Sequence, residues 1–393
     1  MHTINNSSSK PVVLISGVNL TEGGPLSIFK DAVKVFTDGY LSAYKLVLLV
    51  NNRDLFPELN DNPDIAFCEY AYPKRSWLLK IWFEYVHCFF ISKKIKPFLW
   101  FSIHDVTPTI NTKNKVVYCH NPAPFYKLSL KEIWNEKSLF FFRFFYSVIY
   151  RINIRTNSYI IVQQQWLREE FIKRYKVNNV IVAYPDIYIP AVIGNYARKE
   201  NDVFRFCYPA LPRSFKNFEV IFAAAQLLQK KDIKFEVILT LDGTENQYSN
   251  QLVQKYKQLS CVKFIGRQSR EKTFHLYAIC SCLIFPSKME TWGLPITEMK
   301  LHNKPILVAD FRYAHETVGN YDKACFFDAS DPLALAALME KAINGSLQYY
   351  LPDYKIPPQP FVQSWKELFD LILSDDGKQH GAAQLKVSSS HDA

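Results

Sequence analysis

A chain of 393 residues that is 48% hydrophobic and 21% charged is too long for one ordinary core and too apolar to remain unfolded, so two domains of about 150 to 200 residues are expected. The formal net charge of +10 points to an anionic partner: a nucleic acid, a nucleotide or an acidic membrane surface. Cys68, Cys88, Cys119, Cys207, Cys261, Cys280, Cys282 and Cys325 are scattered rather than set at zinc spacings, and most lie in apolar runs. They read as reduced core thiols, not as a disulfide framework.

The start, MHTINNSSSK, is polar and lacks the apolar run of an export signal, so a cytoplasmic location is expected. PVVLISGV then reads as a buried strand. GGPLSIFKDAVKVF reads as a glycine loop, Gly23 and Gly24, opening an amphipathic helix, and YKLVLLVNN as a second strand. Two aromatic-rich runs follow, Trp77 to Phe101 and Leu139 to Arg155. Lys80, Glu84 and His87 interrupt the first and Arg143 the second, so neither offers the roughly 18 apolar residues of a spanning helix. They read as core helices. For one of them a second reading stands beside the first, a helix lying in the interface of an anionic membrane. It rests on Trp77, Trp82, Phe89 and Phe90 beside Lys93, Lys94 and Lys96, and on Phe141 to Phe145 beside Arg151 and Arg155.

PFLWFSIHD, KVVYCHNP and SYIIVQQQ are short apolar segments ended by polar or turn residues, the rhythm of a parallel sheet wound with helices. The pattern lapses between Asp186 and Val203, and a second alternating series begins at FRFCYPAL and runs through SCLIFPS and KPILVAD. The expected organisation is therefore a Rossmann-like domain over 1–195, a second over 196–375 that includes the closing helix PFVQSWKELFDLIL, and a disordered polar tail over 376–393. In such sheets ligands sit beyond the carboxyl ends of the strands.

One segment of the second series, FPSKMETWGLPITEMKLHNKPILVAD, sets Glu290 and Glu298 eight residues apart on either side of Gly293 and Pro295. Proline suits the start of a helix, where its missing N–H is not needed. The spacing thus predicts a helix from Pro295, with Glu298 in its first turn and Glu290 in the loop before it. Free N–H groups at that start suit phosphate oxygens, and two carboxylates beside them can accept hydrogen bonds from sugar hydroxyls. Taken singly, each has a plainer explanation: Glu298 complements the helix dipole and Glu290 is a solvated loop residue.

The whole segment resembles the Glu-x7-Glu signature of retaining nucleotide-sugar glycosyltransferases of the GT-B fold, the family 4-like group that includes bacterial surface-polysaccharide enzymes. Trp292 stands where that family usually has Phe and Asn303 where it usually has Gly; neither change removes a carboxylate. The likeness continues through VKFIGR, REKTFHLYAIC and VADFRYAHETV. It implies a GT-B architecture, two Rossmann-like domains facing a cleft. It also implies that Glu290 holds hydroxyls of the transferred sugar, Glu298 the ribose hydroxyls, and the backbone from Trp292 through Gly293 to Leu294 the sugar and diphosphate.

YPALPRSFKNFEVIFAA resembles the strand, loop and helix that carry the family's basic diphosphate clamp, with Lys216 in the matching place and Arg213 offset from it. In the first domain the resemblance gives Gly23 and Gly24 a place near the donor phosphates and His120, at the end of KVVYCHNP, a contact with the transferred sugar. A tight turn for the glycines and a core or capping role for the histidine remain alternatives. His104 and Asp105, at another strand end, are candidate acceptor contacts.

The glycine loop is not Gly-x-Gly-x-x-Gly, which argues against a dinucleotide oxidoreductase. No Asp-x-Asp occurs, so no cofactor and no metal are expected. The resemblance implies a hexosyltransferase working with retention on a nucleotide diphosphate sugar and a saccharide or lipid-linked oligosaccharide acceptor, in O-antigen, capsule or lipopolysaccharide synthesis, with the enzyme peripheral on the cytoplasmic face of the membrane. A sugar-nucleotide epimerase of the same fold and a non-catalytic subunit of a polysaccharide-assembly complex are the alternatives. Nucleic acid is not expected as a partner, because the basic residues are spread and form no binding motif.

Overall fold

The computed structural model describes residues 10–126, 137–186, 203–231, 233–349 and 354–374. The chain divides into two compact units, one of residues 1–186 with 357–393 and one of residues 187–356. The lapse in pattern after Asp186 and the polar tail lie outside the described residues, apart from their edges.

Among the described residues the first unit holds eight strands: β1 (Val12–Ser16), β2 (Lys45–Val50), β3 (Ile65–Glu69), β4 (Leu99–Ser102), β5 (Asn114–Cys119), β6 (Tyr159–Val162), β7 (Val180–Ala183) and β14 (Phe361–Val362). They lie in the order β14-β7-β6-β5-β4-β1-β2-β3, and the pairs are parallel, as in Val13 opposite Leu46 on one side and Leu99 on the other. Such strands are covered on both faces, so they must be apolar throughout rather than alternating. β1, β2 and β4 obey this, being buried almost end to end. The Gly23–Gly39 helix lays Ile28, Phe29, Ala32, Val33 and Phe36 onto the sheet at helical spacing. It comes so close that a Cβ on Gly17 would collide with the Phe29 ring.

The closing helix, Trp365–Leu373, is expected with the second domain but belongs to the first unit. Phe369 meets Phe36 edge-on at 5.3 Å, Trp365 stacks on Tyr118 at 5.5 Å, and Tyr40 Oη donates to Asp370 Oδ1 at 2.6 Å. Just before it, β14 adds to the sheet edge with Phe361 opposite Val182, and the Arg168 guanidinium donates to the carbonyls of Pro358 and Pro360. The reason is physical: an amphipathic helix seeks whichever open core its apolar stripe fits, and sequence order carries no signal of which core that is.

The second unit holds β8 (Phe204–Tyr208), β9 (Phe235–Leu239), β10 (Val262–Phe264), β11 (Cys282–Phe285), β12 (Ile306–Ala309) and β13 (Ala324–Phe327) in the order β10-β9-β8-β11-β12-β13. Counted from its own first strand this is 3-2-1-4-5-6, the doubly wound order whose direction of growth reverses between the first and fourth strands. In the first unit the same reversal falls between β1 and β4. Each reversal opens a crevice at the strand ends, and these two places are where the candidate residues must be sought. Among the cysteines Cys68 is half-buried and the others are buried, and all are free thiols.

Candidate active site

At the reversal in the second unit, the loop after β8 carries Arg213 and Lys216 and the loop after β11 carries Glu290. The structure brings two of these together: Lys216 Nζ forms an ion pair with Glu290 Oε1, both side chains mostly buried. The two loops are tied to each other. Lys288 N donates to Phe215 O at 2.8 Å. Asn217, in the left-handed region at φ 56°, donates through Nδ2 to the carbonyls of Ala329 at 2.9 Å and Pro286 at 3.3 Å.

Two buried tyrosines complete the frame, Tyr208 donating to Lys216 O at 3.0 Å and Tyr313 to Ser287 O at 2.6 Å. Burial, and after it the Glu290 charge, pushes both phenols well up. They are therefore neutral donors that fix the backbone on each side of the Lys216–Glu290 pair. Arg213 is exposed at the start of the same turn.

The helix after β11 runs Leu294–Leu301, with Gly293 before it and Pro295 in its second position. Glu298 is therefore the fifth residue, and its expected place in the first turn is corrected: the helix begins one residue earlier than Pro295 and the carboxylate points inward. Glu298 is buried and accepts from Tyr277 Oη at 2.7 Å. Burial raises its pKa above the usual carboxylate value, while the Tyr277 hydroxyl and the Arg270 charge act against that rise. Pro295 has no N–H, and the N–H of Ile296 closes onto the Gly293 carbonyl at 2.9 Å. A helix start leaves its first N–H groups without an intrahelical partner, which at this turn concerns Leu294.

Trp292 is buried and serves the turn rather than its surface. Its indole N–H donates to Thr297 Oγ1 at 2.9 Å and its carbonyl accepts from the Thr317 hydroxyl. Gly293 has φ 89°, and a Cβ there would lie 3.2 Å from the Phe285 ring and 3.3 Å from Ile296 Cδ1. Gly293→Ala should therefore cost roughly 1–3 kcal/mol of stability, measurable by chemical denaturation. An unchanged midpoint would show that the turn relaxes freely.

In the first unit, Gly23 and Gly24 form the opening of the Gly23–Gly39 helix rather than the loop before it, and Gly23 sits at φ 72°. His104 is buried, its Nδ1 donating to Ser16 O at 2.8 Å and its Nε2 lying 2.8 Å from Glu84 Oε1. Asp105 is buried too, at φ 72°. Its Oδ1 accepts from the N–H of His120 at 2.7 Å, the N–H of Asn121 at 3.0 Å and Tyr150 Oη at 2.8 Å. Both expected acceptor contacts are thus turned to partners in their own unit.

Asp105 positions the chain at His120, whose Nε2 lies 3.6 Å from Asp105 Oδ2. Burial lowers the His120 pKa, with Asp105 opposing that effect, so the ring is neutral near pH 7. Sequence reasoning missed Tyr277, Tyr208, Tyr313 and Asn217. Only Asn217 carried a signal, a residue tolerant of the left-handed region just ahead of a helix.

A comparison by sequence with curated proteins finds no significant relative. Among solved structures, the fold is similar to that of a glycosyltransferase from Rickettsia africae, at 16% identity and a TM-score of 0.62, covering 86% of this chain and 89% of that one. It is similar as well to the apo form of the lipopolysaccharide outer core galactosyltransferase WaaB, at 12% identity and 0.61, covering 92% and 98%. A third is Anabaena HepE in complex with UDP-glucose, at 15% and 0.59, covering 86% and 90%. The architecture of two parallel-sheet Rossmann-like units is the one those GT-B glycosyltransferases share. Residues 193–351 match the family model for glycosyl transferases group 1, a span that contains Arg213, Lys216, Glu290, Glu298 and the whole second sheet.

Proposed function

We propose that the chain is a retaining glycosyltransferase that moves a hexose from a nucleotide diphosphate sugar to a saccharide acceptor, carried on a lipid, in the synthesis of a surface polysaccharide. The observation that carries this reading is the Lys216–Glu290 ion pair at the sheet reversal beside the Gly293–Leu294 turn. It is supported by the galactosyltransferase and the UDP-glucose complex among the similar folds.

Without a donor, the two charges neutralise each other. A diphosphate offers Lys216 a stronger partner, and the ammonium swings to it with Arg213 alongside. Glu290 is then left to accept hydrogen bonds from the hydroxyls of the sugar. Glu298 receives the ribose hydroxyls. The bond from the anomeric carbon to the diphosphate oxygen breaks and a bond to the acceptor oxygen forms on the same face. The acceptor hydroxyl proton passes to the departing diphosphate. Charge on that leaving group falls on Lys216 and the Leu294 N–H, electrostatic stabilisation that requires no metal.

The test is a thermal-shift screen against UDP-, GDP-, dTDP- and CMP-sugars, followed by product analysis with an acceptor present and absent. One sugar nucleotide should raise the melting temperature, and new glycoside should form only with acceptor, at the same rate after EDTA. A changed sugar nucleotide in the donor-only sample would make the protein an epimerase, and loss of activity with EDTA would overturn the metal-free reading.

A further inference from the structure

From Trp77 to Ile95 the first unit carries one unbroken helical stretch, α-helical to Trp82, a π turn over Phe83–His87, and α-helical again from Cys88. One side serves the core: Phe83, Glu84, Cys88, Ile91 and Ser92 are buried. On the opposite side Leu78, Trp82, Val86 and Phe90 are 79%, 48%, 40% and 61% exposed. These four stand at successive four-residue steps. In an ordinary α-helix such a row drifts by about 40° per step, because each turn takes 3.6 residues. A turn closed by i→i+5 bonds is wider and slows the drift where the row crosses it, so the apolar side chains stay in line.

The Lys137–Ile149 helix lies against the start of this stretch, Phe145 meeting Trp77 at 4.3 Å. It adds exposed Phe144 and Val148 at the same spacing. The exposed lysines and arginine of the segment itself, from Lys74 to Lys96, have no exposed acid among them. Lys74 and Arg75 precede it, Lys93, Lys94 and Lys96 end it, and all five are exposed. The sole acid between Tyr70 and Ile103 is Glu84, buried against His104.

We propose that this face docks on an anionic lipid bilayer, with Leu78, Trp82, Val86 and Phe90 at headgroup depth and the five cations against the lipid phosphates. The charge pattern selects this occupant. A second copy of the chain laid on the same face would bring cation against cation, whereas an anionic leaflet satisfies every exposed charge and both Trp82 and Phe90 at once. Among the described residues no helix is long and apolar enough to cross a membrane, so the stretch lies on the bilayer. The proposal stands on the surface alone and is independent of the transfer reaction.

The test is co-sedimentation of the full chain with vesicles of phosphatidylglycerol and phosphatidylethanolamine, against vesicles of phosphatidylcholine, at low and high salt. The native protein should pellet with the anionic vesicles and be partly released by salt. Lys93→Gln/Lys94→Gln/Lys96→Gln should weaken binding about a hundredfold, since each basic residue near an anionic surface is worth about fivefold. Leu78→Asp/Phe90→Asp should leave only a salt-labile remnant. Because all five substituted residues are exposed, the melting temperature should not move. Native protein that stays in the supernatant, or variants that pellet as the native protein does, would overturn the proposal. So would self-association abolished by Leu78→Asp/Phe90→Asp without vesicle binding, which assigns the face to a second copy.

Discussion

Lys216→Ala should lower the rate of sugar transfer by about a hundredfold to a thousandfold, the size of effect seen when one donor aimed at a developing negative charge is removed. The ammonium of Lys216 is held at the sheet reversal by a frame that does not depend on its charge: Tyr208 Oη on its carbonyl, its own N–H on Arg213 O, and Asn217 bridging to Pro286 and Ala329. Removing the side chain therefore leaves the loop in place and takes away the cation alone.

Some stability is lost as well, because the pair is mostly buried and Lys216→Ala leaves the Glu290 carboxylate without its cation. A double-mutant cycle sharpens the test. If Lys216 spends the unliganded state on Glu290 and the reactive state on the diphosphate, Lys216→Ala and Glu290→Gln should each lower turnover, and their effects should be far from additive. Initial rates and melting curves on the four proteins decide it. A native rate in Lys216→Ala with a lowered melting temperature would make Lys216 a structural cation and remove the main support for the proposed reaction.

The strands around this site were legible because a buried parallel strand must be apolar along its whole length, and Phe206, Leu283, Ile284 and Val308 announce that directly. The neighbourhood of Lys216 and Glu290 was legible from strand ends and a familiar spacing. What the spacing could not carry was direction. Glu298 was readable as a carboxylate near a helix start, but one residue of difference in that start turns it from the first turn into the interior, and its partner Tyr277 lies on a different helix.

β3 escaped notice because its residues Ile65–Glu69 are half-buried at a sheet edge, with neither a full apolar run nor a clean alternation. The Trp77–Ile95 stretch was ambiguous for the opposite reason. Its two faces are both apolar, and only the fold decides that one of them meets the core.

Glu298→Ala should weaken nucleoside diphosphate binding about tenfold to a hundredfold, the worth of one hydrogen bond to a charged group, and the pH dependence of that binding should identify the cause. Burial raises the Glu298 pKa in the free protein. By itself this group therefore contributes stability that is fully present below the ordinary carboxylate value and is lost as pH rises through its folded value. Ribose hydroxyls donate to a carboxylate and disfavour its protonated form. Binding should accordingly expel a proton in the window between the ordinary and the raised value. Affinity should climb with pH across that window and level off above it.

Titration calorimetry with the nucleoside diphosphate of the selected donor, in buffers of different ionisation heat, reads both the slope and the proton released. Glu298→Gln should bind more weakly with no slope. Tyr277→Phe removes a hydrogen bond that lowers the Glu298 pKa, so its window should move to higher pH. A variant lacking the carboxylate that keeps both the affinity and the slope of the native protein would leave Glu298 as no more than the buried acceptor of the Tyr277 hydroxyl, and the ribose would have to be held elsewhere.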